Sequence, residues 1–113
     1  MAQPGEVTMW RAPTRLNPDP LGVLQGGFDP ANYPGPGLFF ATYKPISESF
    51  QLHYGNGLQA FFMLETEFKR LVQKGVILPD TYYPSGQSWH VPAAGIPEFN
   101  AAMQGGSPGK VYP

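Results

Sequence analysis

The chain has 113 residues, a formal net charge of −1, 42 % hydrophobic and 14 % aromatic residues, and no cysteine. This is enough apolar matter for one packed domain and too much for a disordered chain. Near-neutrality gives no basic excess to hold a nucleic-acid backbone, and the lack of cysteine excludes disulfides, thiolate catalysis and cysteine-ligated metals. The 14 glycines and 14 prolines fall between the apolar runs, so the pattern predicts a loop-rich domain of short elements. No apolar run approaches the roughly 18 residues that span a bilayer. Met1–Glu6 lacks the basic start and apolar core of a signal peptide and reads as a loose leader.

In chain order, Val7–Ala12 alternates and predicts a strand that stops at Pro13 and carries Arg11 at its end. Asp19–Gly26 has an N-cap, a proline at the first helical position and a closing glycine, so it predicts one or two turns of helix. Phe28–Pro36 is loop, with Asp29-Pro30 and Tyr33-Pro34 as turn formers. A glycine-flanked turn, Gly35-Pro36-Gly37, opens a strand at Leu38–Thr42. Pro45 then starts a helix to about Tyr54, with Ile46, Phe50, His53 and Tyr54 on one face.

Leu58–Leu64 predicts a central apolar strand, and Thr66–Lys74 a helix capped by Gly75. Gln87–Val91 is a further strand, in which Trp89 and His90 must face opposite sides. Pro97 begins a last helix through Met103, closed by Gly105-Gly106, and Ser107–Pro113 is an extended tail. These elements predict an α+β single domain over 7–106, with a split, mixed sheet and short helices. A dinucleotide-binding parallel fold is not expected, because no glycine-rich turn leads the first strand into a helix.

The run from Gly35 to Phe50 places Phe39 and Phe50 where two rings can stack on a flat heteroaromatic amide, with the Ser47 hydroxyl beside them. Arg11 ends its strand with a guanidinium fork suited to a phosphate or ribose. Taken singly, these residues read as core phenylalanines, a helical-turn serine and a surface arginine. Their joint order changes the odds. Trp10-Arg11-Ala12, Gly37-Leu38-Phe39-Phe40-Ala41 and Ser47-Glu48-Ser49-Phe50 resemble the motifs of the ADP-ribosyltransferase fold, in its poly(ADP-ribose) polymerase and diphtheria-toxin-like branch.

That resemblance covers about half of the chain and implies NAD as the bound substrate. Arg11 and Ala12 would lie at the NAD-ribose position. Phe39 and Phe50 would stack on the nicotinamide, and Ser47 would bond its carboxamide. The whole chain also resembles the compact C-terminal toxin domains of large bacterial polymorphic toxins of the Rhs and contact-dependent inhibition type. Trp89-His90-Val91-Pro92 and Glu98-Phe99-Asn100 carry that likeness. It implies delivery within a larger toxin into a target cell's cytoplasm, a macromolecular acceptor and a cognate immunity protein.

One departure stands out. The family's catalytic glutamate opens a late strand, and here that strand begins with Gln87. Three routes remain open: Gln87 supports a slow or altered reaction, Glu98 or Glu65 supplies the carboxylate from elsewhere, or the domain does not use NAD. Glu98 also suits a helix start simply through the helix dipole. His53 and His90 with a carboxylate would instead suit acid–base cleavage of RNA. A binding module that kept the fold and lost turnover is the third reading. The two histidines lie too far apart in sequence to suggest a metal site, and neither metal nor membrane is expected as a partner.

Overall fold

The computed structural model describes residues 5–13, 27–48, 57–80 and 87–112. The expected helix over Asp19–Gly26 lies outside them, as do Phe50 and His53.

Alternating apolar positions build β1 (Glu6–Arg11) and β2 (Leu38–Ala41). β3 (Leu58–Leu64) is a near-continuous apolar run and is buried on both faces up to Leu64. β4 (Leu78–Pro79), β5 (Ser88–Val91) and β6 (Lys110–Tyr112) complete one six-stranded sheet of order β4-β5-β2-β1-β3-β6. Every described pairing is antiparallel. The α+β single domain is thus as expected, but its sheet is one continuous antiparallel sheet and not a split, mixed one. Of the paired strands, β4 and β5 are joined by a link too short for the crossover of a dozen or more residues that parallel pairing needs. The tail extends the domain past residue 106: β6 pairs with β3, and Ser107 bonds Glu6.

Among the described residues, three α-helices accompany the sheet: α1, over 44–48, α2 (Glu65–Lys74) and α3 (Ile96–Met103). α2 follows β3 without a loop. Its first turn carries Glu65 and Glu67 and its last Lys74, matching the helix dipole. Gly75, at φ 81°, ends it in the left-handed region, and Val76 N–H returns to the Leu71 carbonyl at 2.9 Å.

α2 and α3 cover one face of the sheet. Phe40 and Phe61 meet Phe99 of α3 at ring centroids of 5.6 and 6.1 Å. Phe68 of α2 lies edge-on to Trp89 at 5.4 Å. Phe28 enters the same cluster from its loop, where the Asn100 side chain grips both its backbone N–H (2.8 Å) and its carbonyl (2.9 Å). The core face of β1 is therefore Val7, Met9 and Arg11, and strand alternation turns Thr8 and Trp10 to the second face. On β2, Leu38 and Phe40 face the core while Phe39 and Ala41 face away. On β5, Trp89 and Val91 face the core while Ser88 and His90 face away.

Candidate functional site

The second face gathers the sequence motifs. Trp10 pairs with Ala41, which joins the Trp10-Arg11-Ala12 and Gly37–Ala41 segments side by side. Immediately after β2, α1 turns Ser47 back onto β1, where its Oγ donates to the Trp10 carbonyl at 2.8 Å. Lys44, on the same helix, places Nζ 5.0 Å from the Trp10 ring centroid. Ser47 is only 4 % exposed, so its hydroxyl is fixed, not free to rotate. A hydroxyl that donates once still has lone pairs with which to accept.

Phe39 is 45 % exposed on this face, an unusual position for a large apolar ring in the middle of a sheet. Its cross-strand partner is His90, stacked on it at 5.6 Å with the planes 26° apart. His90 Nδ1 lies 2.7 Å from the Pro36 carbonyl. The Gly35-Pro36-Gly37 turn brings that carbonyl into place. Gly37 sits at φ 99°, and a Cβ there would fall 2.0 Å from the Val91 carbonyl oxygen, so only glycine lets the turn lie this close to β5. Beside His90, Ser88 donates to Asp80 across the β4 side at 3.0 Å.

The remaining expected residues lie elsewhere. Arg11 does not project from the strand end toward solvent. It is 5 % exposed on the core face, donating to Gln59 Oε1 at 2.6 Å, with its guanidinium 5.6 Å from the Phe28 centroid and 5.5 Å from that of Tyr33. The one-residue alternation of β1 decides this, because it sets Arg11 and the Trp10 ring on opposite sides. Arg11 and Phe39 thus occupy opposite faces of the sheet. Ala12, next along from Arg11, is half-buried at the end of β1.

Gln87 is exposed just before β5, and its carbonyl accepts from Thr42 N–H at 2.8 Å. Glu98 belongs to the helical layer. Lys74 Nζ at 2.7 Å and Arg70 Nη1 at 3.2 Å both hold one oxygen of its carboxylate. The hydrogen bond from Lys74, aided by Arg70, keeps this carboxyl below the ordinary carboxylate range. Its place in the first turn of α3 and its ion pairs give it a structural role at the α2–α3 joint. Glu65 is exposed at the start of α2 and pairs with Lys69 at 3.0 Å. Phe50 falls outside the described residues.

The fold therefore joins Ser47 to the Trp10 carbonyl on β1 and stacks Phe39 of the neighbouring β2 on His90, and leaves Arg11 and Glu98 on the helical side. The Phe39–His90 stack and the His90–Pro36 contact were not anticipated; the signal for them was the shared alternation of two strands, visible only once their register is known. Among the described residues no group of three or more His, Asp or Glu side chains is placed to hold a metal. No helix among them is long and apolar enough to cross a membrane. Comparison of the chain with protein-family models, curated proteins and solved structures gave no match.

Proposed function

We propose that this domain binds NAD through its nicotinamide end and cleaves the nicotinamide–ribose bond, passing ADP-ribose to a macromolecule or to water. One observation carries the reading. The Trp10-Arg11-Ala12 segment is joined to the two motif segments that follow much later in the chain, through the Trp10–Ala41 pairing and the Ser47–Trp10 hydrogen bond, and the first of these carries the exposed Phe39. An exposed ring on the strand beside the one that anchors a fixed hydroxyl suits a flat aromatic amide: Phe39 stacks on the ring, and the Ser47 oxygen accepts from the carboxamide N–H. Gln87 is the candidate for a ribose hydroxyl.

In this reading the chain is the toxic part of a larger delivered bacterial protein, and an immunity protein covers the Phe39 face. The placement of Glu98 favours a second reading, a nicotinamide-binding module without turnover. Its carboxylate is bound by two cations on the helical layer, and Gln87 brings no charge to replace it.

Assays of nicotinamide release and of NAD binding separate these readings. Release that falls at least tenfold in Phe39→Ala and Ser47→Ala, with the fold retained, supports the transferase. Binding without release selects the module. Neither binding nor release overturns both. Arg11→Ala is a poor probe, because loss of a buried arginine weakens the core whatever its role in binding.

A further inference from the structure

The Trp89-His90-Val91-Pro92 segment holds a histidine that this reaction has not yet used. A carbonyl oxygen can only accept, so the 2.7 Å contact requires the proton of His90 to sit on Nδ1, donated to Pro36. Nε2 of the neutral ring then carries the lone pair. Among the described residues it has no hydrogen-bond partner. The ring is half-buried against Phe39, and the glycine-bounded turn that supplies the Pro36 carbonyl fixes its orientation. A base hydrogen-bonded through its far nitrogen to an orienting acceptor, beside the ring expected to hold the substrate, is the arrangement that general-base catalysis needs.

We propose that His90 is the general base for the attacking hydroxyl group, water being the smallest such acceptor. The proposal rests on the NAD reading above. The bond from ribose C1′ to nicotinamide breaks, and its electron pair goes to the nicotinamide nitrogen, which leaves neutral. The acceptor oxygen bonds to C1′ and its proton passes to His90 Nε2. The imidazolium then returns that proton to solvent. Pro36 holds the ring throughout and takes no part in the proton balance.

Two measurements test this. The first is the nitrogen-15 NMR spectrum of His90 in the unmodified chain at mildly alkaline pH. It should show a protonated Nδ1 and a bare Nε2; the opposite tautomer overturns the proposal without any appeal to catalysis. The second compares the unmodified chain with His90→Gln for NAD hydrolysis. The variant should lose about a hundredfold in kcat with KM little changed, and added imidazole should restore part of the loss. Unchanged kcat in a folded variant overturns the role of His90 while the NAD reading stands. Absence of hydrolysis by the unmodified chain overturns that reading, and this role with it.

Discussion

Asn100 does for Phe28 what a neighbouring strand would do. Its amide accepts from the Phe28 N–H and donates to the Phe28 carbonyl, closing a two-bond ring between α3 and a loop 72 residues away. The ring of Phe28 in turn packs against Phe61, Tyr33 and Phe99 and lies under the Arg11 guanidinium. Replacing Asn100 by Ala should cost about 2–3 kcal/mol, since both backbone groups of Phe28 lose their partner in a partly buried place. Asn100→Asp should be no better, because the amide donor becomes an oxygen facing the Phe28 carbonyl. Urea unfolding of the two variants checks this, with the midpoint lowered in both and the slope unchanged.

Among the elements, α2 and α3 meet through a small charge cluster in addition to their apolar contacts. Arg70 bonds Glu67 at 2.7 Å and reaches Glu98, which Lys74 also holds. The hydrogen bond from Arg70 lowers the Glu67 carboxyl, as that from Lys74 lowers the Glu98 carboxyl. A carboxyl whose folded-state pKa is depressed contributes stability above its unfolded pKa and loses it as pH falls through the folded value. The cluster's contribution is therefore complete at neutral pH and fades below the ordinary carboxylate range. The groups are solvent-exposed, so the effect is small and screened by salt. Lys74→Met should raise the Glu98 pKa toward its ordinary value, which a carboxyl-carbon NMR titration reads directly; an unshifted Glu98 would contradict the ion pair.

Elements with strong local signals were legible from sequence. The apolar run of β3 and the periodicity of α2 with its Gly75 cap define themselves within a few turns of chain. The sheet's register was not legible, because cross-strand pairing joins residues as distant as Phe39 and His90. That register decides which face each side chain takes. It is why Arg11, expected beside Phe39 and Ser47, lies on the face opposite Phe39, and why the buried Gln59 that receives Arg11 drew no notice.

At the scale of the whole molecule, the two termini of the described domain are fastened to each other. The Glu6 carboxylate, at the head of β1, accepts from the Ser107 N–H at 2.6 Å and from its hydroxyl at 2.7 Å. β1 and β6 then lie on either side of β3, so early and late parts of the chain share one strand. Glu6→Ala should lower stability by about 1–3 kcal/mol through the orphaned donors. Circular dichroism of aromatic and backbone bands should still report a single shifted transition; two separated transitions would show that β6 melts on its own.

The late arrival of β6 also shapes how the chain must be made. Until Lys110–Tyr112 pairs with it, β3 presents an unpaired edge, and that strand is apolar on both sides. Such an edge templates intermolecular pairing. A chain emerging slowly from a ribosome therefore carries β3 with one edge open until Lys110–Tyr112 has followed it out. Once β6 docks, the outer rim of the sheet carries Lys110, a charge that discourages a further strand.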